Sequence, residues 1–107
     1  LHSDSPVIST SPLEMVEIAV TRNVVTRPGY TLAPKEKISV ESAIRAVTIT
    51  PAWQMLSEDQ LGSIEAGKLA DFVVLESDPR SVKQDQISEI KVLETWIDGN
   101  RVYQLEK

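Results

Sequence analysis

Apolar side chains recur every three or four residues in the segment that follows Ser11. This spacing places them on one face of a helix that packs against a core. Ser11 suits the N-cap, Pro12 suits the first helical position, and Glu14 completes a capping box with Ser11. We therefore predict a helix that ends near Arg22 or Asn23. Its apolar face comprises Leu13, Val16, Ala19 and Val20.

A second helical pattern follows Ser39, and a third, shorter one follows Thr50. Both residues suit N-cap positions, and Pro51 suits the first position of the third helix. Residues 24–37 show neither a helical nor an alternating pattern, which predicts a long loop between the first two helices. The second helix carries the apolar stripe Val40, Ala43, Ile44 and Val47, and the third carries Ala52, Trp53, Met55 and Leu56.

A glycine-bounded turn leads into a strand in the second half of the chain. Gly62 and Gly67 can adopt positive φ without a Cβ clash, and Ile64 between them is predicted to anchor the loop to a core. The carboxylate of Asp71 can accept hydrogen bonds from nearby backbone N–H groups. Phe72–Leu75 is an unbroken run of β-forming residues, which predicts a strand that is covered on both faces.

The end of the chain has the pattern of a β-hairpin. Residues 81–88 are interpreted as a polar connector, and residues 90–97 are rich in β-forming side chains. Asp98-Gly99 is a signal for a two-residue hairpin turn. We predict that Trp96 and Tyr103 meet across the two strands, because cross-strand aromatic pairs stabilise a sheet.

The composition excludes several classes of function. A chain of 107 residues suffices for one modest domain. Its 16 acidic and 11 basic residues give a formal net charge of -5, which disfavours nucleic acids and anionic membranes as partners. The absence of cysteine excludes disulfides and thiolate metal sites, and fits a reducing compartment. No apolar stretch approaches the roughly 20 residues of a membrane span, so we expect a soluble, cytoplasmic protein.

Residues 62–68 fit the spacing G-x-x-x-x-G-K of a phosphate-binding loop. The next residue is Leu69, so the hydroxyl group that binds Mg²⁺ in such loops is missing. Glu65 would place a negative charge among the phosphates. A strand follows Lys68, whereas phosphate binding requires the N-terminus of a helix at that point. These features disfavour a nucleotide site.

Four segments of the chain resemble the C-terminal end of the amidohydrolase superfamily, and the likeness is closest to its D-aminoacylase-like and N-substituted formamide deformylase-like branch. They are Leu1–Pro6, Thr48–Ala52 with the flanking helices, Leu61–Leu75, and Val92–Gly99. The family consists of metal-dependent hydrolases with a (β/α)8 barrel and a small β-sandwich. The resemblance implies an α+β piece in which residues 1–60 end the barrel and residues 61–107 belong to the sandwich. Since a complete barrel needs about 250 residues, we interpret the chain as a C-terminal fragment.

The resemblance also implies one site residue, Asp4. In the family, a Ser-Asp pair precedes a proline after the eighth barrel strand, and this acid ligates the metal and takes the proton from the attacking water. The pattern alone also allows Asp4 to form a turn or a cap. His2 is interpreted as a loop residue or a neighbour of the ligands, with metal ligation as the lesser alternative. Arg27 and Tyr30 are interpreted as surface residues of a turn in preference to substrate contacts.

The function implied by the resemblance is hydrolysis of non-peptide C–N bonds in small amide-type substrates. The resemblance also implies that a divalent metal, zinc, activates the attacking water. Because zinc requires at least three protein ligands, the 107-residue piece is expected to be inactive and free of metal. A non-catalytic β-rich interaction module is the alternative, favoured if the natural chain starts near Leu1. Bare strand edges and an uncovered apolar face predict self-association.

Overall fold

The computed structural model describes Leu1 and residues 3–106, and places three α-helices before a three-stranded antiparallel sheet. The mixed α+β class is therefore confirmed. None of the helices in this described part has the length and apolar character needed to cross a membrane. The helices are α1 (Pro12–Thr21), α2 (Val40–Val47) and α3 (Ile49–Gln54), with short 3₁₀ helices at Pro34–Glu36 and Gln84–Glu89. The strands are β1 (Phe72–Leu75), β2 (Val92–Ile97) and β3 (Asn100–Gln104).

Helix α1 begins and ends where its sequence predicts. The Ser11 hydroxyl accepts a hydrogen bond from the Glu14 backbone N–H at 3.5 Å, and Arg22 ends the helix with φ of 57°. The second half of the predicted capping box is wrong, because the Ser11 N–H donates to the Ser9 hydroxyl oxygen at 3.3 Å. The Glu14 carboxylate accepts from the same Ser9 hydroxyl. The Ser9 hydroxyl thus bridges the Ser11 N–H and the Glu14 carboxylate, which a capping box would join directly.

Helix α2 begins after Ser39 as predicted, with the Ser39 hydroxyl accepting from the Ser42 N–H at 3.1 Å. The predicted start of α3 is wrong, since α3 begins at Ile49 with Thr48 as its N-cap. Thr48 alone separates the two helices, and its hydroxyl donates to the Ile44 carbonyl at 2.8 Å. Pro51 occupies the third helical position, where a missing N–H costs nothing because the first four N–H groups of a helix lack intrahelical partners.

The core forms where α1, α2 and the 3₁₀ helix Gln84–Glu89 meet. The predicted apolar faces of α1 and α2 pack here, as expected from their spacing, with some of their side chains buried and the rest partly buried. Ile87 is 0% exposed, so the prediction that residues 81–88 form a polar connector is wrong. A single apolar residue in a short 3₁₀ turn gives no periodic signal, yet it fills the space between two helices. The buried cluster comprises Val16, Ala19, Val20, Ala43 and Ile87.

The sheet has the strand order β1-β2-β3, so β1 lies at an edge. The predicted strand is confirmed, but its predicted cover on both faces is wrong for the described residues. Val73 and Val74 remain 51% and 38% exposed. Phe72 instead stacks on Trp96 of β2, with ring centroids 5.6 Å apart and an interplanar angle of 15°.

The hairpin between β2 and β3 forms at the predicted turn, with positive φ of 48° at Asp98 and 72° at Gly99. The predicted contact between Trp96 and Tyr103 is wrong. Trp96 pairs with Arg101, whereas Tyr103 pairs with Thr95 after a shift in register. Since successive residues of a strand point to opposite faces, Tyr103 lies on the face away from Trp96.

The glycine-bounded turn before β1 is held by backbone and polar contacts. Gly62 and Gly67 have φ of 88° and 96°, which confirms the predicted positive φ. Ile64 is 84% exposed, so its predicted role as an anchor is wrong. The backbone of Gly62 lies directly against α3, where a Cβ atom would come within 2.8 Å of the Ile49 Cα. Asp71 accepts a hydrogen bond from the Asp98 N–H at 2.8 Å, which ties this turn to the hairpin.

Candidate active site

Asp4 lies in an exposed turn near the start of the chain. Its backbone has φ of 50°, and its carbonyl accepts a hydrogen bond from the Val7 N–H at 2.9 Å. The Ser5–Pro6 peptide bond inside the turn is cis. Aspartate is one of the few residue types that enter the left-handed region readily, because its short polar side chain can bond locally. Asp4 therefore forms a turn, and its role at a metal stays a prediction.

The described residues do not complete a metal site. Leu1 and residues 3–106 contain no group of three or more His, Cys, Asp or Glu side chains that could hold an ion. His2, the predicted lesser candidate for a ligand, lies outside the described residues. Asp4 can supply one carboxylate ligand, whereas a zinc site requires at least three protein ligands. A zinc site at Asp4 would therefore need further ligands in addition to this carboxylate.

A groove of about 510 Å³ runs between the Asp4-bearing loop, α1 and the loop that follows α1. We call it the α1 groove. Its wall is mostly apolar, but Ser9, Glu14 and Arg22 also line it. The Arg22 side chain is held there by a hydrogen bond from its Nε to the Leu32 carbonyl at 3.2 Å. The apolar lining includes Val7, Ile8, Ile18, Val24, Val25 and Leu32.

Ser9 connects the Asp4-bearing loop to α1. Its hydroxyl donates to the Glu14 carboxylate and accepts from the Ser11 N–H, so one side chain bonds both a first-turn acid and the N-cap backbone. The capping-box pattern does not indicate this connection, because it pairs Glu14 with Ser11 alone. A serine two residues before the N-cap was the available signal, since serine hydroxyls readily bond backbone groups two residues away.

Arg27 and Tyr30 lie at the tip of the loop after α1. The Tyr30 N–H donates to the Arg27 carbonyl at 3.0 Å, and the Arg27 guanidinium lies 4.7 Å from the centre of the Tyr30 ring. Both residues are exposed. The base of the loop is closed by an antiparallel bridge between Asn23 and Thr31, which no pattern in the sequence indicated. Arg27 and Tyr30 thus contact each other at a surface turn, in line with their interpretation as surface residues.

The segment with phosphate-loop spacing has a different structure. The Lys68 amine lies 2.9 Å from the Glu65 carboxylate and donates to the Ser63 hydroxyl at 2.7 Å. The Ser63 hydroxyl and then Lys68 lower the pKa of Glu65, so both charges are satisfied within the loop. Strand β1 follows the loop, and no helix N-terminus is present in this described segment. The lysine is therefore a structural residue of the turn.

A second groove, of about 420 Å³, separates α3 from β1. Its apolar wall includes Val47, Pro51 and Val73. Asp71 is the one acid in its lining, and the hairpin turn already occupies one of its carboxylate oxygens. The lining of this groove is therefore mainly apolar, with Asp71 as its one ionisable side chain.

Comparison with known proteins decides the family. The model of the amidohydrolase family matches residues 1–103. The chain belongs to the amidohydrolase family. The resemblance seen in the sequence is thereby confirmed.

The relatives that this amidohydrolase chain matches are much longer proteins. The chain is 39% identical over 99 residues to the N-substituted formamide deformylase of Arthrobacter pascens, covering 92% of the chain and 18% of the relative. It is 35% identical over 103 residues to Protein LONG AFTER FAR-RED 3 of Arabidopsis thaliana, covering 96% and 17%. The chain thus spans less than a fifth of these curated relatives.

A solved structure supports the same assignment. The crystal structure of an amidohydrolase from Thermotoga maritima MSB8 superposes with a TM-score of 0.64 and 31% sequence identity. The match covers 95% of this chain and 22% of that one. The arrangement of helices and sheet described above is therefore similar to one part of a larger amidohydrolase.

Proposed function

We propose that these residues form the C-terminal part of a metal-dependent hydrolase that cleaves non-peptide C–N bonds in small amide-type substrates. The family match over residues 1–103 carries this proposal. The 39% identity to an N-substituted formamide deformylase supports the choice of an amide-type bond. Substrate identity is set elsewhere, since in barrel enzymes the loops of all eight strands contribute to the site.

The proposed architecture assigns residues 1–60 to the end of a (β/α)8 barrel and residues 61–107 to a small β-sandwich. The order of the elements supports this division, because the three α-helices precede Gly62 and the three strands follow Gly67. The exposed outer edge of β1 and the half-exposed Val73 are consistent with further strands packing there.

Asp4 is the residue that we propose as a metal ligand and proton acceptor. Its position in an exposed turn just ahead of α1 supports this role, since barrel enzymes place their chemistry in the loops that follow the strands. A bound divalent metal, zinc in our proposal, would acidify a water and polarise the scissile carbonyl. Because the described residues supply too few ligands, the 107-residue chain alone is proposed to be inactive and metal-free.

The test uses the full-length protein, with its metal content and its hydrolysis of an N-substituted formamide as readouts. We expect Asp4→Asn to lower kcat by about 10²- to 10⁴-fold, as loss of a positioned acid–base group does. Asparagine also tolerates the left-handed backbone at position 4, so the turn should persist. Asp59→Asn, at another exposed loop acid, is the matched control and should leave kcat unchanged.

Full activity and full metal content in Asp4→Asn would overturn the role of Asp4. Amide hydrolysis or tight zinc binding by the 107-residue chain alone would overturn the proposal that the remaining ligands lie elsewhere.

A non-catalytic interaction module is the second candidate, and the exposed apolar side chains favour it. Trp53 is 63% exposed and Leu56 is 87% exposed. Exposed apolar groups that cluster on a surface mark contact sites in many proteins. A full-length protein that binds no metal and hydrolyses no amide would support this candidate against the hydrolase.

A further inference from the structure

The segment between Asp4 and α1 is held to the helix by two hydrogen bonds that meet at one hydroxyl group. Ser9 donates to the Glu14 carboxylate and accepts from the Ser11 N–H at 3.3 Å. On its other side, the segment begins with the turn closed between the Val7 N–H and the Asp4 carbonyl at 2.9 Å. Ile8 is the one residue between the turn and Ser9, and it is partly buried in the wall of the α1 groove.

We propose that Ser9 and Glu14 are positioning residues for Asp4, holding the Asp4-bearing turn at a fixed distance and angle from α1. This inference rests on the proposed role of Asp4. A carboxylate on an exposed turn would otherwise sample many positions, and a reacting group that is misplaced by about 1 Å loses on the order of 100-fold in rate. A loop tied to a packed element meets the requirement that site residues be supported by rigid neighbours.

Helix α1 is a suitable platform for such a tie. Val16 and Val20 are each 1% exposed in the core, and the Glu17 carboxylate accepts a hydrogen bond from the Ser88 N–H at 2.7 Å. In the first turn, Leu13 packs against the same buried cluster, so the start of α1 is also held to the core. The Glu14 backbone is held at the N-cap by its N–H bond to Ser11. Through its bond to the Glu14 carboxylate, Ser9 therefore ties the loop to this fixed helix.

Helix α2 offers a control, because its N-terminus also carries a serine that bonds the backbone and a first-turn glutamate, without the Asp4 loop. Ser39 caps it by accepting from the Ser42 N–H at 3.1 Å, and Glu41 lies exposed in its first turn. Ser39→Ala and Glu41→Ala remove one serine hydroxyl and one first-turn glutamate at the start of α2. Ser9→Ala and Glu14→Ala remove the same types of group at the start of α1.

The experiment compares these four variants and Ser9→Thr in the full-length protein. The readouts are amide hydrogen exchange over residues 3–10, the melting temperature, and kcat and KM with an N-substituted formamide. We expect faster exchange over residues 3–10 in Ser9→Ala and Glu14→Ala, with kcat at least about tenfold lower and KM unchanged. Ser9→Thr keeps a hydroxyl and should restore both readouts. Ser39→Ala and Glu41→Ala should lower the melting temperature while leaving exchange over residues 3–10 and kcat as in the wild type.

Two outcomes would overturn the inference. One is unchanged exchange over residues 3–10 in Ser9→Ala and Glu14→Ala, because the tie would then not hold the loop. The other is faster exchange with unchanged kcat in an enzyme that Asp4→Asn inactivates. Failure of the proposed function is recognised separately, since the wild type would then show no amide hydrolysis. Failure of the Asp4 role is recognised by full activity in Asp4→Asn. In both cases the exchange measurement still reports whether Ser9 holds the loop.

Discussion

The carboxylate of Glu17 accepts a hydrogen bond from the backbone N–H of Ser88 at 2.7 Å, although 71 residues separate them in sequence. The adjacent Ile87 is fully buried against α1 and α2. A short segment after β1 therefore returns to complete the helical core. Packing of the helices consequently depends on residues from the C-terminal third of the chain, while the proposed boundary at residue 60 stays a prediction.

The first prediction concerns Ile87. Ile87→Ala should lower the free energy of unfolding by about 2–5 kcal/mol, because it removes buried methyl groups and leaves a cavity between the helices. Ile64→Ala is the matched control, since Ile64 is 84% exposed and should change stability by no more than about 0.5 kcal/mol. Urea denaturation followed by far-UV circular dichroism measures both. Equal effects of the two substitutions would contradict the assignment of Ile87 to the core.

The second prediction compares the two glycines of the turn before β1. Both have positive φ, so either Gly→Ala substitution should cost roughly 1–2 kcal/mol for the left-handed backbone. At Gly62 the new Cβ would also lie 2.8 Å from the Ile49 Cα and 2.9 Å from the Ala52 Cβ, whereas Gly67 faces open space. Gly62→Ala should therefore cost roughly 1–3 kcal/mol more than Gly67→Ala. Thermal and urea unfolding of both variants would measure the loss of unfolding free energy. A smaller loss in Gly62→Ala than in Gly67→Ala would contradict the prediction.

Local chemistry explains why some elements were predictable. The N-caps of α1 and α2 and the Asp98-Gly99 turn each follow from residues within a few positions of one another. The buried faces of α1 and α2 follow from spacing along a single helix. In these cases the sequence neighbours are also the physical partners, so a local pattern contains the needed information.

Other features depend on contacts between distant segments, and local patterns missed them. Ile87 is buried because α1 and α2 approach each other, and Trp96 stacks on Phe72 because of the strand register. Ile64 is exposed because other contacts hold its turn: Gly62 lies against α3, and Lys68 bonds Glu65. Asp4 was named from a family resemblance, whereas its tie through Ser9 required the folded geometry.

The third prediction concerns the pH dependence of stability. The guanidinium and backbone N–H of Arg80 lower the pKa of Asp78 from its ordinary 3.8 to about 2. Because the folded-state pKa is depressed, the contribution of Asp78 is fully present above about pH 4. It is lost as the pH falls through about 2. The pair is exposed, so the effect should be small.

The test is the urea midpoint of the wild type and Asp78→Asn between pH 5 and pH 2. The wild type should lose more stability than Asp78→Asn over this range, whereas Asp59→Asn should follow the wild type. Parallel curves for the wild type and Asp78→Asn would show that the Arg80 contact contributes nothing measurable in solution.

The fourth prediction is that the 107-residue chain self-associates. Strand β1 lies at an edge of the sheet with Val73 half-exposed, and Trp53 and Leu56 are largely exposed on and after α3. Unpaired strand edges and apolar surface of this kind favour pairing between copies. Light scattering across a concentration series should therefore show a mass that rises above the 11.9 kDa of one chain.

A charge placed on the edge strand separates strand pairing from other modes of association. Val73→Lys should shift the association to higher concentration, because a lysine on an edge strand opposes pairing with a second strand. Val25→Lys changes a valine that is 80% exposed in the loop after α1, and should leave the association as in the wild type. If both variants associate like the wild type, the contact lies away from β1, on the helices or on the other edge strand β3. A monodisperse monomer at high concentration would contradict self-association altogether, and would mean that the exposed side chains of β1 and α3 are compatible with an isolated chain in water.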